Sequence, residues 1–250
     1  MNAAILLSGG IGTRINSDIP KQYIRIGDHM TITYALGPLI STPLIHAIYI
    51  VAAEEYREDI TSDAGKLYKE AADKIKGFAD PGVNRQGSIL SGMEKILDDM
   101  GSADASDISD DDTVLVHDAC RPGISAELIA ACYGALEGCD GVMPALPMKD
   151  TVYLGDAGDR IGGLLDRSRI YAGQAPELFR LGKYHKANLA LLPDKILKIN
   201  GASEPAVMAG MDIRMIPGDE ANYKITTDAD LARFRESMER AEGRDDRISE

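Results

Sequence analysis

Apolar residues in this chain fall into short runs separated by longer stretches of helical periodicity, and the two kinds alternate over the first 150 positions. Apolar runs at Ala3 to Leu7, His46 to Ala52, Thr113 to His117 and Gly141 to Leu146 have strand length. Helical patterns lie between them at Thr31 to Leu39, Tyr56 to Tyr68 and Gln86 to Leu97. Alternation of this kind predicts an α/β fold with a mainly parallel sheet flanked by helices. The pattern breaks at Met148 to Tyr171, where Thr151 to Leu154 and Ile161 to Ile170 flank a turn rich in Gly and Asp, which predicts a protruding β-hairpin arm. Helices are then expected at Leu181 to Leu192, Glu204 to Met211 and Asp228 to Ala241, with a strand at Ile213 to Ile216. Residues 101–112 read as a solvated loop, and 242–250 as a charged, frayed tail. The expectation is a single domain over residues 1–250, with the arm at 148–171 inside it.

Composition narrows the function classes. An apolar fraction of 44% in 250 residues provides for a sizeable core. The longest apolar stretches, such as Ile45 to Ala53, fall well short of the roughly 20 residues that span a bilayer, so no membrane partner and a cytoplasmic location are expected. Cys120, Cys132 and Cys139 have neither zinc-site spacing nor an even count, and read as free thiols. A net charge of −13 argues against nucleic acid as a partner. It also means that basic residues gathered at an anion site are placed against the field of the whole molecule.

Three segments carry candidate chemistry. The first, Leu7 to Arg14, is a glycine turn directly after the first strand, with Ser8, Gly9, Gly10, Gly12 and Thr13 ahead of Arg14 and with Pro20-Lys21-Gln22 beyond it. Glycines let a backbone approach phosphates, and exposed amides in such a turn bind anions. It is not a P-loop, which requires Gly-Lys-Ser/Thr, and a dinucleotide fingerprint would need a glycine where Ile15 stands. Arg14 and Lys21 suit phosphoryl chemistry, in which positive charge must meet the transferred and leaving groups. The second segment is Pro81 to Ser88, leading into a helix: Arg85 and the Ser88 hydroxyl could hold a base or phosphate, and helix capping explains Ser88 equally well. The third, Val114 to Pro122, is a buried-looking strand ending in His117-Asp118-Ala119-Cys120-Arg121. Its place at a carboxyl strand end favours Asp118 as a metal ligand, and His117 reads as a hydrogen-bonded structural residue.

The order Gly-Gly-x-Gly-Thr-Arg, Pro-Lys-Gln, Arg-x-x-Ser and His-Asp-Ala-x-Arg-Pro resembles the 2-C-methyl-D-erythritol 4-phosphate cytidylyltransferase family and the related ribitol-5-phosphate cytidylyltransferases. Lys149-Asp150-Thr151, Asp166-Arg167, Gln174-Ala175-Pro176-Glu177 and Asn222-Tyr223-Lys224-Ile225-Thr226 extend the match from Ile5 to about Phe234. The resemblance implies a Rossmann-like sheet of the nucleotide-diphospho-sugar transferase type and transfer of CMP from CTP to a polyol phosphate, with Mg²⁺. It implies that Ser8 to Arg14, Gly82, Arg85, Ser88 and Ala119 bind CTP, with Gly82 and Ser88 reading the cytosine. Arg14, Lys21 and Lys224 would stabilise the transition state, Asp118 would lie between metal and acceptor and bind both, and Arg121 would bind the acceptor with it. It further implies a homodimer with exchanged arms, in which Thr151 and Arg167 hold the acceptor bound to the neighbouring subunit.

The chain departs from the family pattern at Pro81, usually glycine, and at Ala175 and Glu177, usually threonine and glutamine. Ala175 removes a hydroxyl from the acceptor pocket, so the acceptor is either methylerythritol phosphate, the favoured reading, or ribitol 5-phosphate. A uridylyl or guanylyl transferase, a non-catalytic nucleotide-binding protein and a dinucleotide-dependent oxidoreductase are the rival readings. The last also lacks a convincing second strand ending near Asp28 to meet a ribose.

Overall fold

The computed structural model describes residues 1–10, 15, 17–102, 108–156 and 158–245, with side chains through 240 apart from that of Ala72. The chain opens on β1 (Asn2–Leu7), a small hairpin of β2 (Arg25–Ile26) and β3 (His29–Met30), then α1 (Thr31–Ser41) and β4 (Ala47–Val51). Next come α2 (Glu54–Leu67), α3 (Ala71–Lys74), β5 (Ile75–Ala79), α4 (Arg85–Asp99), β6 (Thr113–Asp118), α5 (Ala126–Ala135) and β7 (Gly141–Pro147). The remaining elements are β8 (Tyr153–Gly155), β9 (Ile161–Leu164), β10 (Tyr171–Gly173), β11 (Glu177–Arg180), α6 (Leu181–Leu189), α7 (Ser203–Met208), β12 (Ile213–Pro217) and α8 (Asp228–Asp245).

Eight strands form one mixed sheet in the order β10-β7-β11-β6-β1-β4-β5, with β12 added to β7. Its centre is parallel, β1 lying between β4 and β6, whereas β11 runs antiparallel between β6 and β7. The period of two along each central strand divides the core into two layers. Ala4, Leu6, Ile48, Ile50 and Leu115 face one cluster with α1, α2 and α5, through Leu36, Ile60 and Ile129. Ala3, Ile5, Tyr49, Val114 and Val116 face the other, with α4 and α6. Both faces of the central strands are therefore apolar, which is why they read as uninterrupted hydrophobic runs.

The predicted arm takes a form that the sequence rendered only in part. The return strand is the short β9, paired antiparallel with β8, rather than a single piece reaching Ile170. A 3₁₀ turn over Arg167–Arg169 follows, and Tyr171–Gly173 then joins the main sheet on β7. Asp166 opens that turn by accepting the Ser168 amide at 3.1 Å, a local hydrogen bond that competes with strand pairing. The last helix also runs past the expected Ala241 to Asp245, into the segment read as a tail. A third apolar cluster, Ile15, Ile26, Ile225, Leu231 and Phe234, packs α8 against the β2-β3 hairpin. Ile225 is fully buried there, which anchors its neighbour Lys224.

Candidate active site

The described candidate residues of the three segments, joined by Lys224, gather at the carboxyl ends of β1 and β6, where a ligand crevice forms in open α/β sheets. The two strands pair Leu7 with Asp118, and the Ala119 amide continues the pairing by donating to the Leu7 carbonyl at 2.9 Å. The Ser8 hydroxyl donates to the Val51 carbonyl at 2.9 Å, fixing the first residue of the glycine turn. Pro20-Lys21-Gln22 is tied to the same turn: the Gln22 amide donates to the carbonyls of Ser8 and Gly10, and the Tyr23 hydroxyl donates to the Ser8 carbonyl at 3.0 Å. Gly12, Thr13 and Arg14 lie outside the described residues.

The second motif packs directly on the first. A Cβ on Gly9 would lie 2.6 Å from the Pro81 ring, and one on Gly82 would lie 2.3 Å from the Gly87 carbonyl carbon, so each position admits only glycine. Gly10 faces open space. The start of α4 is capped by Asn84, whose side-chain oxygen accepts the Gly87 amide at 2.8 Å. Ser88 is thus not the cap; its hydroxyl accepts the Gly82 amide at 3.0 Å and donates to the Asn84 carbonyl at 3.1 Å. Gly82 and Ser88, expected to act together, are bonded to one another.

At the centre stands Asp118, only 5% exposed. Arg85 places Nε and Nη2 at 3.2 and 3.0 Å from its Oδ1, and Lys224 places Nζ at 2.8 Å from its Oδ2. Arg121 Nε approaches Oδ2 at 3.7 Å, an ion-pair distance, while its Nη1 donates to the Asn222 carbonyl at 2.8 Å. Burial alone would raise the Asp118 carboxyl; the Arg85 and Lys224 cations overcome it and hold the group well below the usual carboxylate range. Lys21 belongs to the same neighbourhood. Burial and Asp118 push the Cys120 thiol up, and Lys224, Lys21 and Arg121 all act on that thiol in the opposite sense.

His117 takes the structural role expected of it. Burial pushes its pKa down to about 4, and its Nε2 meets the Arg121 carbonyl at 3.0 Å. With the ring neutral, Nε2 is the donating nitrogen. Thr151 and Arg167 are exposed on the arm segment, where Arg167 Nη1 donates to the Lys149 carbonyl at 2.7 Å.

Sequence reasoning missed the residues that hold this cluster together. Asn222, fully buried, donates from Nδ2 to the Ala175 carbonyl at 2.7 Å, and Gln174 exchanges hydrogen bonds with the backbone of Asp219 at 2.9 and 3.0 Å. These bonds lock segment 218–226, which carries Lys224, onto the chain before β11. The signal was present in the amide side chains within two apolar motifs, but an amide alone does not say what it ties. Glu177, noted only as a departure, is 7% exposed, with Oε1 at 3.8 Å from Arg85 Nη2 and with Oε2 buried and unpaired. Burial raises its pKa to about 7 against the pull of Arg85. Asn222 Oδ1 and the Tyr223 hydroxyl, on the segment that carries Lys224, are likewise buried without a hydrogen-bond partner among the described residues.

Known proteins resemble this chain over nearly its whole described length. A family model described as 2-C-methyl-D-erythritol 4-phosphate cytidylyltransferase matches residues 2–240. The protein of that name from Rubrobacter xylanophilus is 32% identical over 232 residues, covering 91% of this chain and 90% of its own. Its namesake from Pseudomonas aeruginosa PAO1 is 29% identical over 237 residues, with 94% of each covered. The crystal structure of 4-diphosphocytidyl-2C-methyl-D-erythritol synthase from Anaerococcus prevotii has a TM-score of 0.76 at 22% identity, over 95% of this chain and 96% of that one, which establishes likeness of fold. Matched by the family model from residue 2 to residue 240 and by relatives over nine-tenths of its length, the chain belongs to the 2-C-methyl-D-erythritol 4-phosphate cytidylyltransferase family.

Proposed function

We propose that this protein joins the CMP portion of CTP to 2-C-methyl-D-erythritol 4-phosphate and releases pyrophosphate. The observation that carries the reading is the ring of cations, Arg85, Arg121 and Lys224, drawn around one buried carboxylate on a chain of net charge −13. Such a concentration of positive charge is costly to assemble unless it receives a polyanion.

The chemistry asks for no protein nucleophile. A phosphomonoester, with a second pKa of about 6, is mostly dianionic at neutral pH. One of its oxygens attacks the α-phosphorus of CTP, the bond from that phosphorus to the bridging oxygen breaks, and pyrophosphate leaves with the electron pair. The protein positions and neutralises. Arg14, Lys21 and Lys224 act on the developing charge; Ser8, Gly9, Gly10, Gly12, Thr13, Arg85 and Ala119 hold the phosphates and ribose of CTP; and Gly82 and Ser88 read the cytosine. His117, neutral and engaged, and Cys120, with its pKa raised by burial, are both unsuited to attack.

Among the described residues no group of three or more His, Cys, Asp and Glu side chains could hold a metal ion on its own. Mg²⁺ fits nonetheless, because it is commonly held by one or two carboxylates together with substrate phosphates, and Asp118 is a carboxylate kept ionised. Bound with the nucleotide, Mg²⁺ supplies neutralisation of the phosphates.

The protein acts as a homodimer of single-domain subunits that exchange the arm at 148–171, Thr151, Arg167 and Arg121 receiving the acceptor. Tyr153, Leu154, Ile161 and Leu164 support this reading, each more than half exposed on the arm and in need of cover. Its place of action is the cytoplasm; among the described residues no helix is long and apolar enough to cross a membrane.

The test is pyrophosphate release with Mg²⁺ and each of CTP, UTP and GTP, against a panel including methylerythritol 4-phosphate and ribitol 5-phosphate. Release with CTP and methylerythritol 4-phosphate is expected. A preference for UTP or GTP overturns the base assignment, and a preference for ribitol 5-phosphate overturns the acceptor. CTP binding without turnover on any acceptor overturns the catalytic reading.

A further inference from the structure

Arg85 is claimed by two carboxylates, and the second has no counterpart role in the chemistry above. Its Nε and Nη2 hold Asp118 Oδ1, while Nη2 also lies 3.8 Å from Glu177 Oε1. Glu177 opens β11, where it pairs antiparallel with Val116, two positions before Asp118 on β6, so the two acids arise from neighbouring strands at one end of the sheet. At 7% exposure and with Arg85 no nearer than 3.8 Å, Glu177 adds negative charge beside Asp118 whenever it is ionised, which is the case at pH 8.

We infer that Glu177 is a positioning residue that shares Arg85 with Asp118 and thereby weakens the grip of the cleft on polyphosphates. This inference rests on the activity proposed above and adds a control on its affinity. With Glu177 ionised, Arg85, Arg121 and Lys224 exceed the two carboxylates by one charge; with an amide at 177, the excess is two. An additional uncompensated charge in a partly buried site acts strongly on an anion arriving within a few ångströms. The carboxylate therefore lowers affinity for CTP and for pyrophosphate together, and so favours departure of the product.

The experiment is calorimetric titration of the full-length protein at pH 8 with CTP and, separately, with inorganic pyrophosphate, for wild type, Glu177→Gln and Glu177→Asp. Glu177→Gln keeps the shape and removes the charge, and is expected to tighten both ligands by about tenfold. Glu177→Asp keeps the charge, and is expected to remain near the wild-type affinity whatever its effect on stability. In turnover, Glu177→Gln lowers the KM for CTP, whereas a purely structural role would raise it or leave it unchanged. Wild-type protein that binds neither CTP nor pyrophosphate overturns the proposed activity and this inference with it. Wild-type protein that binds CTP, alongside Glu177→Gln of equal or weaker affinity or Glu177→Asp tightened to the same degree, overturns this inference alone.

Discussion

At the scale of single residues, the site consists of charges held in a setting that would otherwise reject them. Lys21 tests the catalytic part of that statement, because it flanks the tethered Gln22 and Tyr23 without itself forming core. Lys21→Met is expected to lower kcat by 10²- to 10³-fold, the usual effect of removing a group aimed at developing charge. Its unfolding free energy, read by urea titration, is expected to change by no more than about 0.5 kcal/mol, as for most substitutions outside the core. A comparable loss of stability would instead make Lys21 a structural residue. Glu177 and His117 carry opposite pH dependences. Burial raises the Glu177 pKa to about 7, so the folded state binds its proton more tightly than the unfolded chain does, and wild-type stability falls as pH rises from about 4.5 to about 7. Burial lowers His117 to about 4, so stability rises with pH from about 4 to about 6.5, and the two largely offset one another. Glu177→Gln removes the first of these effects. Its stability advantage over wild type is therefore expected to be small at pH 4.5 and to grow by up to about 3 kcal/mol by pH 7.5. Urea unfolding at the two pH values measures this, and a constant difference would refute it. Neither effect was legible in the sequence, which showed a glutamate where the family has glutamine but not that its strand would be buried on both faces.

At the scale of elements, the junction between β5 and α4 is where local structure and ligand site coincide. Asn84 caps α4 through the Gly87 amide, and its Nδ2 also donates to the Ile196 carbonyl at 2.8 Å, so one side chain sets both the helix start and its distance from a neighbouring turn. Asn84→Ala is expected to cost about 1 to 2 kcal/mol, read by urea unfolding, and to raise the KM for CTP because the bonded pair of Gly82 and Ser88 rides on the same turn. Asn84→Asp restores the capping oxygen without the Ile196 bond, and is expected to recover roughly half of the stability. The elements that sequence patterning revealed are those with a period of their own along the chain: β1, β4, β6, β7 and β12 as apolar runs, and α1, α2, α4, α6, α7 and α8 as helical periodicities. Those it missed owe their form to partners distant in sequence. In β5, Lys76 and Gly77 interrupt the apolar signal, and pairing with β4 makes the strand. In β11 only Leu178 and Phe179 are apolar, and insertion between β6 and β7 makes the rest extended. The hairpin of β2 and β3 has two-residue strands and turns through Gly27 at φ +57°, too brief for any period to register.

At the scale of the whole molecule, the question is why an acidic protein leaves Tyr153, Leu154, Ile161 and Leu164 more than half exposed on a two-stranded projection. An isolated hairpin of that length is at best marginally stable in water, so a surface that covers it supplies the missing stabilisation. A second copy of the chain is the proposed cover, and a two-fold arrangement carries each arm to the other subunit in the same way. The pairing of β8 with β9 was legible in the sequence because its turn and its apolar residues are local; the cover proposed for it was not, because a surface supplied by a second copy leaves no periodicity in the hairpin itself. If each arm completes the partner's site through Thr151 and Arg167, then mutations in the body and in the arm fall in different sites of a mixed dimer. Lys21→Met and Arg167→Ala homodimers are both expected to be inactive. In the heterodimer one site collects both substitutions, and the other combines an intact body with an intact arm. Unfolding and refolding the two variants together in equal amounts gives heterodimers as half of the population, so about a quarter of the wild-type activity returns. If each arm instead serves its own subunit, every site in the mixture keeps one lesion and no activity returns, whatever the affinity between subunits.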